Sequence, residues 1–158
     1  CKAEPGKVSF GSAGAGSVPI PLGDGRYLAI THTGHRMKDG CREYSADAAL
    51  LDFRRFSPER PAAVTTAILE HVLVPETKWE RSTSPARDDA LHCVFPCGSF
   101  EEEGQITMVY GGGDIYTLAA RVSKAALLER LEAAPEVTHS RGNGGEQRRL
   151  ALPACGGS

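Results

Sequence analysis

Polar and apolar residues alternate along several short stretches of the chain, which is the pattern of half-buried strands. Residues 105–110 read Gln-Ile-Thr-Met-Val-Tyr, and a β-rich pattern resumes at 115–122. Three glycines, Gly111–Gly113, separate these runs and are followed by Asp114. Because glycine allows positive φ and close backbone approach, this turn can present the Asp114 carboxylate at a sheet end, beside space for a ligand. Gly and Asp are also common in plain hairpin turns, and the local pattern alone favours that interpretation.

Other stretches predict further strands. Val18–Leu22 is extended because its two prolines exclude a helix, and Arg26–His32 predicts a strand that ends on a histidine. Tyr44–Phe53 predicts another strand. The apolar spacing of residues 62–74 fits both a helix and a strand, and its β-branched residues and the following Pro75 favour the strand.

One helix is predicted late in the chain, at Ser123–Ala134, with Ser123 as a suitable N-cap and a stripe of leucines behind it. An acidic turn, Glu101–Gly104, precedes the alternating run at 105–110. Six or more short strands with one late helix fit a sandwich, a barrel or a propeller. Composition predicts loops or disorder in four segments: residues 1–17, 33–43, 75–90 and 135–158.

Composition and charge narrow the class of protein. The chain has 158 residues, of which 41% are hydrophobic, enough to bury the core of one domain. A formal net charge of −2 and the lack of a basic cluster argue against a nucleic-acid partner. No apolar run reaches the roughly 18 to 20 residues of a membrane helix. We therefore expect a soluble, cytoplasmic protein without a nucleic-acid or membrane partner.

The five cysteines include no C-x-x-C pair, so we expect neither a disulfide framework nor a zinc site. Cys93 and Cys97 are four residues apart, which in a regular strand places both on one face as small buried hydrophobes. The tryptophan, Trp79, lies among charged residues and can stack on a sugar or pack over the edge of the core. Packing is the interpretation we favour for Trp79.

Histidines and arginines are concentrated after the strand at 26–32. They can form an anion-binding cluster or a solvated loop, and the sequence leaves both open. The residues concerned are His32, His35, Arg36 and Arg42.

Several motifs, in order from about residue 18 to residue 128, resemble glycoside hydrolase family 130. The matching residues are Pro19-Ile20, Gly25–His32, Tyr44, Ala48–Asp52, Trp79–Arg81, Val94–Gly98 and Val109–Asp114.

The resemblance implies a five-bladed β-propeller, of which this chain holds about three blades. The expected fold is therefore all-β, an incomplete five-bladed propeller with one late helix. The propeller part is expected at residues 18–134, after a loop at 1–17 and before a disordered tail at 135–158.

The resemblance also implies the chemistry, which is phosphorolysis of β-mannosides with release of mannose 1-phosphate. Manno-oligosaccharide and inorganic phosphate would be the partners, without a metal or an organic cofactor, and self-association is left open. Inverting cleavage requires a general acid. In this family the acid is an aspartate expected upstream of Cys1, so the catalytic residue is unknown here.

The family pattern assigns roles to five residues of this chain. His32 and Arg36 are expected to bind phosphate, and Asp114, Tyr110 and Phe95 are expected to bind the sugar. We expect Asp114 and His32 to border a common hollow.

The chain departs from the family pattern where phosphorylases often carry a lysine, because Pro21 or Leu22 stands there. His92 replaces an asparagine of the family. Loss of a phosphate-binding cation keeps two alternatives open. One is a β-mannosidase or β-mannosyltransferase of the same fold, and the other is a catalytically silent sugar-binding module.

Overall fold

The structure, a computed structural model, describes residues 8–36, 41–82 and 91–138. Within these ranges it contains nine strands, one α-helix and two short 3-10 turns at Phe53–Arg55 and Pro61–Val64. The strands are β1 (Val8–Ala15), β2 (Ile20–Gly23), β3 (Arg26–Arg36), β4 (Arg42–Asp52), β5 (Thr65–Leu73), β6 (Arg81–Ser82), β7 (Leu91–Glu102), β8 (Gln105–Gly112) and β9 (Tyr116–Ser123); the helix is α1 (Lys124–Ala133).

The strands join in the order β1-β3-β4-β7-β8-β9, with β2 paired to β3, β5 to β4 and β6 to β7. All pairs are antiparallel except β4 and β7, which run parallel over residues 42–44 and 91–93. The parallel contact joins two antiparallel groups, β1 to β5 and β7 to β9. The described strands do not close on themselves, and the prediction of an all-β fold with one late helix is confirmed.

The core lies on one face of β3 and β4 and continues onto β8. Leu28 and Ile30 of β3 are opposite Leu50 and Ala48 of β4, and all four side chains are buried. Small alanines on β4 leave room for the larger residues that complete the core. These residues are Leu69, Val94, Ile106, Met108, Leu127 and Leu131.

The predicted helix is confirmed. The Ser123 hydroxyl accepts a hydrogen bond from the Ala126 backbone N–H at 3.3 Å, which caps the first turn. Leu127 and Leu131, four residues apart, bury one stripe of α1 against the sheet. Among the described residues, no helix is long and apolar enough to cross a membrane.

Three of the predicted loops are partly strand. Val8–Ala15, inside the predicted loop at 1–17, is β1 because it pairs with β3. β3 continues past His32 to Arg36, and β4 begins at Arg42, because the two strands pair along eleven residues. A short strand also forms at Arg81–Ser82, within the predicted loop at 75–90.

The predicted tail is ordered at its start. Val137 N–H donates to the Thr66 carbonyl at 2.9 Å, and Glu136 forms an ion pair with Arg55. The prediction of disorder is wrong for these residues, and residues 139–158 lie outside the described part.

Two expectations about cysteine are also corrected. The β7–β8 register shifts between Pro96 and Gly98, and this bulge separates the environments of Cys93, which is buried, and Cys97, which is exposed. Cys41 is disulfide-bonded, although the sequence predicted no disulfide framework.

Candidate functional site

Three aromatic rings meet where β3, β4 and β7 come together. The centroid of His32 on β3 lies 4.2 Å from that of Phe95 on β7 and 6.4 Å from that of Tyr44 on β4. Tyr44 and Phe95 make an edge contact at 6.0 Å. We call His32, Tyr44 and Phe95 the ring cluster. Two of its members, His32 and Phe95, are predicted site residues that are 63 positions apart in the sequence.

Two glycines make room for the rings on neighbouring strands. Gly14 of β1 pairs with His32, and a Cβ at Gly14 would lie 2.3 Å from His32 Cε1. Gly34 of β3 pairs with Tyr44, and a Cβ there would lie 2.8 Å from Tyr44 Cε1. Real Cβ atoms do not approach other atoms so closely, so each ring lies over a position that requires glycine. The two glycines therefore fix the places of His32 and Tyr44.

Burial controls the charge of His32. Desolvation lowers the pKa of its imidazole below the ordinary 6.5, and the Ala15 backbone carbonyl and the Asp47 carboxylate oppose this shift without cancelling it. His32 Nδ1 is buried and has no hydrogen-bond partner among the described residues. The ring is therefore a neutral imidazole at neutral pH, and an anion near the ring would favour its protonated form.

Asp114 lies in the turn between β8 and β9, Gly111–Ile115, which we call the glycine turn. Gly113 and Asp114 both have positive φ, 58° and 63°. The Ile115 N–H closes the turn by donating to the Gly112 carbonyl at 3.1 Å. Asp114 is exposed. The turn interpretation of the Gly-Asp pair is therefore correct for the backbone, and a role of the exposed Asp114 in sugar binding stays a prediction.

The glycine turn and the ring cluster lie at the same end of β7. Tyr44 is the parallel partner of Cys93, and the Gly113 N–H donates to the Cys93 carbonyl at 3.0 Å. Tyr44, Cys93 and Gly113 thus form one row across neighbouring segments, and strands are about 4.8 Å apart. The backbone at Gly113 is therefore roughly 10 Å from that at Tyr44. The row places the two regions at the same end of the sheet, and the prediction that His32 and Asp114 border a common hollow stays a prediction.

Glu80 and Tyr110 form a buried support beneath the glycine turn. The Tyr110 hydroxyl donates to Glu80 Oε1 at 2.7 Å, and Glu80 Oε2 accepts from the backbone N–H groups of Glu76 and Thr77 at 2.9 and 2.8 Å. Burial and the Glu80 carboxylate raise the pKa of Tyr110. Tyr110 is only 5% exposed, so its hydroxyl holds Glu80, and its role in sugar binding stays a prediction.

Arg36, the second predicted phosphate residue, ends β3 opposite Arg42. Its side chain lies outside the described part, so its role stays a prediction. No group of three or more His, Cys, Asp or Glu within the described ranges could hold a metal ion.

A second polar group, missed by the sequence analysis, lies on the opposite side of β3 and β4 from the core. The buried Asp47 carboxylate accepts from the Thr33 hydroxyl and from the His71 N–H, the latter at 2.8 Å. Ser45 Oγ lies 2.8 Å from His71 Nδ1. The positive φ of His71, 57°, accompanies a register shift in the β4–β5 pairing. Asp47 therefore fixes this bulge, which no local pattern indicates.

A cavity of about 520 Å³ lies on this same side, between β3, β4 and the chain after α1. Its walls include Thr31, Thr33, Asp47, Glu70 and Glu136. None of the five predicted site residues lines it. This cavity therefore does not join His32 to Asp114.

The open all-β sheet carries a ring cluster and an exposed carboxylate turn at one end, as expected for a part of a propeller. A family model, glycoside hydrolase family 130, described as β-1,4-mannooligosaccharide phosphorylase, matches residues 11–132. The chain belongs to this family. The sequence resemblance is thereby confirmed.

A solved structure supports the same assignment. The chain is similar to a β-1,2-mannobiose phosphorylase from Listeria innocua in complex with β-1,2-mannobiose, with 26% sequence identity and a TM-score of 0.59. The match covers 82% of this chain and 32% of the other, so the chain spans about a third of that relative. No curated protein matches the chain.

Proposed function

We propose that this chain forms part of the active site of an enzyme that cleaves β-mannosides with phosphate and releases mannose 1-phosphate. The observation that carries the proposal is the half-buried His32 imidazole, whose Nδ1 has no hydrogen-bond partner among the described residues. It belongs to the ring cluster, in which the backbone of Tyr44 lies roughly 10 Å from that of the exposed glycine turn. Because the chain spans about a third of its relative, the proposal concerns the full-length protein, including an acid outside this sequence.

His32 supplies the phosphate side of the site. Burial keeps the imidazole neutral in the free protein, so a phosphate dianion gains a donor that becomes charged as it binds. The charge on His32 then depends on phosphate. Phosphate binding therefore takes up a proton at His32, and this uptake weakens as the pH rises above the pKa of the bound imidazole.

Asp114 supplies the sugar side. A carboxylate accepts hydrogen bonds from two adjacent sugar hydroxyls, and Asp114 is exposed in the turn that follows β8. Phe95, 38% exposed, offers an apolar surface to the sugar ring next to His32. Tyr110 contributes indirectly: its hydroxyl binds Glu80, and Glu80 holds the backbone at Glu76 and Thr77 next to the glycine turn.

A hydrolase or transferase of the same fold is the second candidate. It is favoured by β2, where Pro21 and Leu22 stand at the position of a family lysine and provide no cation for phosphate. A silent sugar-binding module is the third candidate, because the family pattern does not assign the general acid to a residue of this chain.

The test is the phosphate dependence of cleavage by the full-length protein. We expect β-1,2- or β-1,4-mannobiose to yield mannose 1-phosphate, followed by phosphorus NMR, only when inorganic phosphate is present. Mannose released at the same rate without phosphate would establish the hydrolase instead. Binding without any cleavage would support the silent module.

The role of His32 is tested with His32→Gln, because an amide still donates a hydrogen bond but takes up no proton. We expect the KM for phosphate to rise about tenfold, the loss of roughly one charge-assisted hydrogen bond. His71→Asn is the matched control. His71 is on the opposite side of the sheet from the core, away from the ring cluster, and asparagine tolerates its positive φ. An equal change in both variants would remove His32 from the phosphate site.

A further inference from the structure

We infer that Trp79 and Tyr116 form an aromatic binding surface for an additional sugar ring, next to Asp114. The inference rests on the proposed function, since it assigns a subsite for a longer mannoside at the same end of the sheet. It extends the site to two residues that neither the sequence motifs nor the comparisons assign to substrate.

The two rings are exposed although they contact each other. Trp79 is 44% exposed and Tyr116 is 41% exposed, and their centroids lie 5.0 Å apart in an edge-to-face contact. Neighbouring Ile115 is 62% exposed. Large apolar side chains gathered at the surface mark a binding surface more often than isolated ones do. The expected packing of Trp79 over the core edge is therefore replaced by a surface pair.

The backbone holds this pair against the glycine turn. Tyr116 is the ladder partner of Gly112, and a Cβ at Gly112 would lie 3.1 Å from the Trp79 carbonyl oxygen. The Cys93 N–H donates to the Glu80 carbonyl at 2.8 Å, which attaches the Trp79 loop to the start of β7. Asp114 lies between Gly112 and Tyr116 in the chain. The position of Trp79 is therefore set by the turn that carries the predicted sugar-binding carboxylate.

The chemistry of the surface fits a pyranose ring. A pyranose has a face of C–H bonds that packs on an aromatic ring, while its hydroxyls bond to polar groups at the ring edge. Asp114 supplies an acceptor at this edge. Lys78 Nζ lies over one face of the Trp79 ring, 4.5 Å from its centroid, and supplies a donor beside the other aromatic surfaces. An acceptor and a donor beside exposed aromatic rings suit a neutral, hydroxyl-rich ligand better than an ion.

Trp79 gives the inference a direct readout, because it is the one tryptophan in the sequence of 158 residues. We expect the emission of Trp79 in this chain to change saturably with mannotriose or mannotetraose. Tyr116→Ser should weaken this binding about threefold to tenfold, while circular dichroism stays unchanged. Phe100→Ser is the matched control, since Phe100 is also an exposed aromatic, 50% exposed, on β7 opposite Thr107, at the far end of the β7–β8 pair from the glycine turn.

Three results overturn the inference: no saturable change in Trp79 emission at millimolar oligosaccharide, equal affinities in Tyr116→Ser and Phe100→Ser, or unchanged activity of the full-length Tyr116→Ser variant on short and long substrates. Failure of the proposed function is a separate result, because it is read as phosphate-independent cleavage or no cleavage by the full-length protein. If the full-length Tyr116→Ser variant releases mannose 1-phosphate at the normal rate from both short and long substrates, the subsite is refuted and the proposed function stands.

Discussion

The two turns of the β7–β8–β9 meander have similar backbones and different surroundings. In the acidic turn, Glu103 and Gly104 have φ of 51° and 74°, and in the glycine turn, Gly113 and Asp114 have φ of 58° and 63°. Both are therefore tight turns with two consecutive residues in the left-handed region. Backbone conformation alone cannot distinguish a functional turn from a plain one in this molecule.

The surroundings do distinguish them. The acidic turn is exposed, and its carboxylates form surface ion pairs, Glu101 with Lys124 at 2.7 Å and Glu102 with Arg121 at 3.4 Å. The glycine turn lies beside the buried Glu80–Tyr110 hydrogen bond and an exposed aromatic pair. We conclude that buried polar support beside exposed aromatic rings, rather than the Gly-Asp sequence, identifies the candidate binding turn.

The largest expected effect is loss of the support beneath the glycine turn. Glu80→Ala leaves the Tyr110 hydroxyl and the Glu76 and Thr77 N–H groups without their acceptor, at a cost of about 3 kcal/mol. For a domain of this size this lowers Tm by roughly 10 °C in a thermal melt. Glu101→Ala in the acidic turn is the control and should change Tm by roughly 2 °C or less. Equal losses would show that the two turns are supported alike.

The next largest effect is the difference in stability between alanine substitutions at Gly112, in the glycine turn, and at Gly104, in the acidic turn. A Cβ at Gly112 would lie 2.5 Å from Leu118 Cδ1 and 3.1 Å from the Trp79 carbonyl oxygen, so Gly112→Ala must displace both at about 2 kcal/mol. Gly104 has open space around it and a φ of +74°, so Gly104→Ala costs about 1 kcal/mol of backbone strain. Urea unfolding measures both. We expect a shift in Trp79 emission for Gly112→Ala and none for Gly104→Ala. An unshifted emission in Gly112→Ala would contradict the claim that the glycine turn sets the position of Trp79.

Acid should weaken the glycine-turn end through Glu80. Burial alone would raise the pKa of Glu80, but hydrogen bonds from Thr77, Tyr110 and Glu76 outweigh it and lower the pKa below 4.5. The carboxylate therefore stabilises the fold fully above pH 4.5, and this contribution is lost as the pH falls through the lowered pKa. We expect the loss of stability between pH 5 and pH 3 to be smaller in Glu80→Gln than in wild type, measured by urea unfolding. An unchanged slope would contradict this role.

The smallest effect is expected at the acidic turn. Lys124→Gln removes a partly exposed ion pair with Glu101 and should cost about 0.5 kcal/mol or less. Its effect should vanish at high salt, because exposed pairs are screened. A loss as large as that of Glu80→Ala would contradict the contrast between the turns.

The sequence predicts regular elements well where each strand carries its own pattern. The alternation at 105–110 and the Ser123 cap are local signals, and β8 and α1 follow them. β1 is missed because its Gly, Ser and Ala residues have low strand propensity, and pairing with β3 decides its conformation. The bulge at Cys97 is missed because a register shift depends on the partner strand.

The candidate site divides in the same way. The family motifs indicate His32, Phe95 and Asp114, but not how they are arranged. The contact of His32 with Phe95 depends on Gly14, which has no side chain to collide with the His32 ring. This requirement becomes visible only when β1 is placed beside β3. Tyr44 stands in the matched motifs, and its role follows only from its position between the other two rings. Long-range pairing, which no local pattern encodes, brings these residues together.

The central claim is that the glycine turn, and not its backbone counterpart, binds mannoside. The most direct measurement compares the affinity of the full-length protein for β-mannobiose in Asp114→Asn and Glu103→Gln, by calorimetry. Each variant removes one carboxylate from a positive-φ turn position, and Asn tolerates this conformation. We predict affinity about tenfold or more weaker for Asp114→Asn, and unchanged for Glu103→Gln. Equal affinities in the two variants would contradict the account.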